Sequence, residues 1–269
     1  MRAWTIGVLA AALTTAASAQ FAAPAPEKLK GTALTPARLP DGRPNWTGFW
    51  VTPNGLLEVY RGPSGITGAP PGTNSRNSRR QDLPRLKPPY DKQYEDALRK
   101  SAAGEIADPV ALCFPPGMPR MMGMVYGMEI LQTPKVISIT SEWQAATRRI
   151  WMDLDKHPSP DELDPTYAGH SIGHWDGDVL VVETVGVRED VPLDFGYLPH
   201  SPKLKIIERL SQISPGVLVD DIRIEDPDSF EDAWTYKLAY LYKPDFRLRE
   251  YVCLENNRNI NEEGQAVFK

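Results

Sequence analysis

Residues 157–200 read HPSPDELDPTYAGHSIGHWDGDVLVVETVGVREDVPLDFGYLPH, and the middle of this stretch predicts a β-hairpin. Asp176 and Gly177 form an Asp-Gly pair, which is typical of a tight two-residue turn, and the β-branched run Val179–Val185 follows as the returning strand. Because the turn fixes the register of the two strands, the hairpin should hold the side chains before the turn at defined positions.

Short β-prone runs separated by turn signals continue on both sides of this hairpin. Nine are candidate strands: 128–133, 136–144, 147–153, 170–175, 178–187, 204–213, 217–225, 234–242 and 247–253. They predict a mainly β fold, an antiparallel meander that forms a closed or nearly closed lipocalin-like barrel of about eight or nine strands. Ahead of them the sequence predicts an aromatic first strand within 45–51, one short helix over 91–103 and long loops such as 62–89.

Length and charge restrict the class of protein. A chain of 269 residues with 41% hydrophobic and 24% charged residues is of ordinary globular composition and supports one large domain. The net charge of −5 argues against a nucleic-acid partner, because neutralising phosphates needs clustered Lys and Arg.

The first 19 residues have the pattern of a secretory signal peptide. Arg2 is followed by an apolar run and then by Ala17-Ser18-Ala19, a small-x-small pattern that predicts cleavage after Ala19. No run approaches the roughly 20 apolar residues that a membrane-spanning helix needs. We therefore expect a periplasmic or secreted protein with no membrane span. Its predicted parts are a flexible arm over 20–44, one barrel domain over 45–257 and a loose tail over 258–269.

Export makes the two cysteines informative. Cys113 and Cys253 are an even pair, and disulfides persist outside the cytoplasm. We expect them to form a disulfide; the alternative is two buried free thiols.

Several motifs resemble those of a family of secreted bacterial proteins of uncharacterised function. They are ADPVALCFPPGMPRMM (107–122), YGMEILQTP (126–134), RRIWMD (148–153), GHSIGHWDGDVLVVETVG (169–186) and LREYVCLENN (248–257). The resemblance covers about residues 44–257. It implies export and a single β-rich domain, and it carries over no catalytic residue.

All the histidines fall within residues 157–200, and histidine is the commonest acid–base group and metal ligand. On a regular strand His170 and His174 share a face but lie about 13 Å apart, so the two alone should not bind one metal ion. Loop histidines and carboxylates, Asp161 and Glu183 among them, can complete a site. The candidate catalytic residues are His157, His170, His174, His200, Asp164 and Tyr167.

A second candidate set is suited to holding a ligand. Arg148 and Arg149 are adjacent on a strand, so one should point inward and be paired with a carboxylate such as Glu129 or Glu142, or with a ligand anion. Aromatic and Met side chains would line a pocket for an apolar or aromatic molecule. The candidate substrate-binding residues are Arg148, Arg149, Tyr126, Trp151, Trp175 and Met122.

These residues leave several functions open. The leading hypothesis is an exported lyase, isomerase or hydrolase that uses His/carboxylate acid–base chemistry, without a cofactor, on a small aromatic or apolar molecule inside the barrel. One alternative is a periplasmic small-molecule binding protein without catalysis, another is a histidine-based metalloprotein, and a third is an interaction domain with structural histidines. The sequence contains no Gly-x-Ser-x-Gly elbow, phosphate loop or dinucleotide fingerprint.

Overall fold

The computed structural model describes residues 29–52, 84–105, 108–194 and 196–256, together with the main chain of 59–61. The predicted signal peptide, the first part of the arm, most of the 62–89 loop and the C-terminal tail lie outside these ranges. No helix within the described ranges is long and apolar enough to cross a membrane.

Ten strands of the described chain form one sheet. They are β1 (Gly48–Val51), β2 (Val59–Arg61), β3 (Met128–Gln132), β4 (Val136–Ser141), β5 (Thr147–Trp151), β6 (His170–Asp176), β7 (Val179–Val185), β8 (Lys205–Ser214), β9 (Val217–Glu225) and β10 (Trp234–Tyr242). The order is β1-β3-β4-β5-β6-β7-β8-β9-β10-β2, and β10 also pairs with β1. That last pairing closes a nine-stranded barrel, with β2 attached to the other half of β10. The lipocalin-like barrel is confirmed.

The helices are few. Helix α1 (Tyr90–Ala102) begins one residue before its predicted start, and α2 (Cys253–Asn256) is a single turn. Two 3₁₀ turns, Pro109–Leu112 and Arg120–Gly123, lie between α1 and β3. The described part of the N-terminal arm lies against the barrel, where Leu34 is buried in the core.

The prediction of a wholly antiparallel meander is wrong at one place. Strands β5 and β6 pair in parallel, with Ile150 opposite Ser171. Parallel neighbours need a long crossover, and residues 152–169 supply it instead of a hairpin turn. Gly173 permits the close approach, because a Cβ there would lie 2.7 Å from Ile150 Cγ2.

The predicted strand over 247–253 is also wrong. Tyr251 makes one isolated bridge to Trp143, and helix α2 begins at Cys253. Arg249 and Glu250 are both exposed, so the segment has no buried face that would favour a barrel strand.

The central hairpin forms one residue later than the Asp-Gly pair predicts. Asp176 still belongs to β6 and pairs with Val179, so the turn residues are Gly177 and Asp178. Gly177 has a φ of 59°, whereas Asp178 has no positive φ, which matches a turn with glycine in its first central position.

Large apolar side chains fill the barrel. Burying each such side chain contributes about 1.5–3 kcal/mol. The fully or almost fully buried set includes Trp46, Trp50, Met118, Met122, Ile130, Ile139, Ile150, Val182, Ile206, Leu218, Ile222 and Tyr240.

Candidate functional site

The histidine cluster lies on the outer face of the barrel. In β6 the buried positions are Ser171 and Gly173, whereas His170, Ile172 and His174 alternate with them and face outward. In the leading hypothesis a histidine acts on a molecule inside the barrel, whereas His170 and His174 face away from that interior. The register from His170 to Asp176 is continuous, so no bulge at Gly173 brings the two histidines of the strand together.

His157, in the crossover, contacts His170 nitrogen to nitrogen. The two Nδ1 atoms lie 2.8 Å apart, and the ring centroids are 5.1 Å apart. A 2.8 Å contact gives this centroid distance only when the two Nδ1 atoms point straight at each other. The pair therefore shares one hydrogen bond, with one Nδ1 protonated and the other accepting.

Glu183 and Lys205 complete a group of four side chains. His157 Nε2 lies 3.4 Å from Glu183 Oε1, an electrostatic contact at the long limit of a hydrogen bond, and Lys205 Nζ lies 3.1 Å from Glu183 Oε2. Burial lowers the pKa of both His157 and His170, and the neighbouring His170 lowers that of His157 further. Both rings are therefore neutral at pH 7.

The other two histidines lie elsewhere. His174 is exposed, opposite Val181. His200 is buried, its Nδ1 is 2.9 Å from the Ser201 carbonyl oxygen, and burial lowers its pKa. Only His157 and His170 therefore come together, and no third histidine joins them.

The described residues contain no group of three or more His, Cys, Asp and Glu side chains placed to bind a metal ion. In the His157–His170 pair the two nitrogens aim at each other and not at a common point, which suits a shared proton better than a metal.

Arg148 and Arg149 point to opposite faces of β5, as the sequence predicts: Arg148 is buried and Arg149 is exposed. The partner of Arg148 is neither Glu129 nor Glu142, however. Arg148 donates two hydrogen bonds to the buried Glu208, one of them 2.8 Å long to Oε1. It also donates to Thr184 Oγ1 (2.9 Å) and to Ser171 Oγ (3.1 Å).

Two more polar groups border this ion pair. Asp220 is fully buried next to Glu208, and burial together with the charge of Glu208 raises its pKa well above the ordinary range. Burial likewise raises the pKa of Tyr240. Because Arg148, Glu208, Asp220 and Tyr240 have no accessible surface, they leave no water-sized space at this level of the barrel.

The aromatic and Met candidates occupy separate places. Trp175 packs on Trp46, with ring centroids 5.0 Å apart, and Met122 is in the core. Tyr126 packs against Trp143 and Tyr251 beside the disulfide, and Trp151 is partly exposed next to Ile150 on β5. The structure does not bring them together as one pocket.

One groove does have the size of a small-molecule site. Its volume is about 290 Å³, near the lower limit for ligand pockets. It lies where β6 begins and β7 ends, away from the turn of the hairpin. The residues that line it are Asp108, Pro109, Leu112, Phe114, Tyr167, Arg188 and Asp190. Tyr167 was predicted for the site, whereas Asp164 is exposed in the crossover and does not line the groove.

Contacts with buried residues fix the wall of the groove that contains Asp108. Buried Arg120 donates to both carboxyl oxygens of Asp108 at 2.8 and 2.6 Å, and Asp108 also accepts from the Val110 amide. Cys113 is bonded to Cys253, which confirms the predicted disulfide and anchors the wall to the end of the described chain. Asp108 is thereby fixed as part of a rigid wall.

Arg188 and Tyr167, which also line the groove, form a cation–π pair. The Arg188 guanidinium lies 4.9 Å from the centroid of the Tyr167 ring and donates to Asp190 at 2.8 Å from Nε and 2.6 Å from Nη2. Its Nη1 has no hydrogen-bond partner within the described ranges. Phe114, which also lines the groove, is 46% exposed.

Sequence reasoning missed most of this groove. Phe114 and Arg188 have no conspicuous spacing in the sequence, and only the folded chain brings both to the same groove. The available signal was the motif 107–122, which here supplies both the wall and its buried arginine.

No family model matches the sequence, and no curated protein matches it. Among solved structures, the chain is similar to a "secretary abundant heat soluble (SAHS) protein" from Ramazzottius varieornatus. The TM-score is 0.31 and the identity 11%, over 74% of this chain and 95% of that one. A likeness at this level carries no argument about what the present chain binds.

Proposed function

We propose that the chain is an exported protein that binds a small aromatic molecule, without acting on it chemically, in the groove beside Tyr167. The observation that carries the proposal is the groove itself, about 290 Å³ of concave surface walled by Phe114 and Tyr167 and held in shape by a disulfide. No histidine lines it, so the groove favours binding over the acid–base catalysis predicted from the sequence.

The chemistry of the walls suggests what the ligand carries. Phe114 and Tyr167 offer ring faces for stacking. Arg188 lies beside them, its Nη1 has no hydrogen-bond partner among the described residues, and a guanidinium recognises anionic oxygens such as those of a carboxylate well. The groove is therefore suited to a flat aromatic molecule with one anionic substituent.

The filled interior of the barrel supports a ligand site outside it. Arg148, Ile150 and Trp50 have no exposed surface, so the middle of the barrel is a packed core. Export and the resemblance to secreted bacterial proteins fit a binding role outside the cytoplasm, where the Cys113–Cys253 disulfide persists.

The test uses 8-anilino-1-naphthalenesulfonate, an aromatic anion that fluoresces on binding, with a thermal-shift screen of small aromatic carboxylates. Arg188→Ala should weaken binding about tenfold, because one charged hydrogen bond is lost. Tyr167→Ala should weaken it severalfold through lost stacking.

Arg209→Ala is the matched control. Arg209 pairs with Asp176 on the surface at 2.9 Å, with an exposure close to that of Arg188, but it does not line the groove. Equal loss of binding in Arg188→Ala and Arg209→Ala, or no loss in either, would overturn the proposal.

A further inference from the structure

The His157–His170 pair has a definite proton count. Its two Nδ1 atoms face each other at 2.8 Å, so two protons would collide between them and two lone pairs would repel. One proton therefore lies between the rings. A neutral imidazole has one N–H, so the tautomer of one ring fixes the tautomer of the other.

Glu183 sets the direction of the pair. His157 Nε2 is buried and faces Glu183 Oε1 at 3.4 Å, so a lone pair on that nitrogen would be repelled by the carboxylate. His157 thus carries its proton on Nε2 and accepts on Nδ1. His170 then donates from Nδ1 and keeps its lone pair on Nε2.

We propose that Nε2 of His170 is a proton-accepting site on the outer face of the barrel, oriented by His157 and Glu183. The substrate class is a small molecule with a weakly acidic hydroxyl or a C–H next to a carbonyl. Its proton passes to Nε2 and its electron pair stays on the oxygen or carbon. His170, now an imidazolium, still donates from Nδ1 to His157, whose Nε2–H faces the carboxylate.

Two features of the surroundings agree with this role. His170 is partly exposed, so a solute can reach the ring, whereas the side chain of His157 is only 12% exposed and acts from behind it. Burial lowers the pKa of His170, which keeps its Nε2 unprotonated at pH 7.

Lys205 allows a second test, because its charge should change the basicity of the histidine pair in the direction opposite to that of Glu183. Its ammonium neutralises part of the Glu183 charge from 3.1 Å and so lowers the pKa of His157. Removing Lys205 should make the relay more basic, whereas neutralising Glu183 should make it less basic. A purely structural role of these residues would not give opposite effects.

The first measurement is nitrogen-15 NMR of the histidine rings in the unaltered, disulfide-bonded protein at pH 7.5. The expected result is a proton on Nε2 of His157 and on Nδ1 of His170. A proton on Nε2 of His170 would overturn the proposal without any variant having to fold.

The second measurement is the rate at which diethyl pyrocarbonate acylates His170, followed by mass spectrometry. The imidazole Nε2 forms a bond to the carbonyl carbon, and ethyl carbonate leaves as carbon dioxide and ethanol. Glu183→Gln should slow His170 about threefold and Lys205→Met should accelerate it by a similar factor.

His174→Ala is the matched control. His174 lies on the same outward face of β6 but is exposed and outside the pair, so this variant should leave the rate at His170 unchanged. Glu183→Gln and Lys205→Met acting in the same direction, or not at all, would refute the relay.

Discussion

Replacing Arg148 with methionine should destabilise the protein far more than replacing Glu208 with glutamine. Arg148 is the only cation in the described hydrogen-bonded group at the centre of the barrel, where it donates to Glu208, Thr184 and Ser171. Its removal leaves Glu208 buried beside Asp220, with no positive charge to offset either carboxyl group.

The magnitude follows from the burial of both partners. Removing one member of a fully buried ion pair costs about 3–5 kcal/mol, because the other charge is left uncompensated. Glu208→Gln should cost less, about 1.5–3 kcal/mol, the range for hydrogen bonds to charged groups. In that variant Asp220, whose pKa is raised by burial and by Glu208, can ionise and replace the lost negative charge.

Urea denaturation at pH 7, followed by tryptophan fluorescence with the disulfide intact, measures both free energies of unfolding. Arg149→Met is the control, because Arg149 is the exposed neighbour on the same strand and should change stability by less than about 0.5 kcal/mol. The reasoning is wrong if Arg148→Met costs less than about 1 kcal/mol, or if Glu208→Gln costs as much as Arg148→Met.

Two further predictions concern the whole chain. Replacing Cys113 and Cys253 with serine removes a disulfide that spans 140 residues. We expect the free energy of unfolding, measured in urea, to fall by about 4–5 kcal/mol and the probe to bind the groove more weakly. Unchanged probe binding would contradict the anchoring role of the disulfide. Burial lowers the pKa of His157, His170 and His200, so the unfolded state binds more protons than the folded state below about pH 6.5. The melting temperature should therefore fall as the pH is lowered from 7.5 to 5. A flat or rising melting temperature would contradict these pKa shifts.

Local patterns were sufficient for the barrel because most of its strands have their own signal in the sequence. Alternation in β9 and β10, together with turn residues such as Gly177 and Gly216, depends only on neighbours along the chain. The inward and outward directions of Arg148 and Arg149 follow from the same two-residue period.

Local patterns do not predict which side chains pair across the inside of the barrel. Arg148 and Glu208 are 60 residues apart, on β5 and β8, and they meet inside the barrel although β6 and β7 lie between those strands in the sheet. An antiparallel meander gave no reason to prefer Glu208 over Glu129 or Glu142.

The same crossover explains why the possible chemistry lies outside the barrel. A hairpin between β5 and β6 would need only a short turn. The parallel connection instead uses the long crossover 152–169, which brings His157 to His170 on the outer face and Tyr167 to the groove. The interior is meanwhile occupied by Arg148 and its partners, which exclude water and ligand alike. In this chain the barrel is the scaffold, and the segment that breaks its antiparallel order supplies residues to both candidate sites.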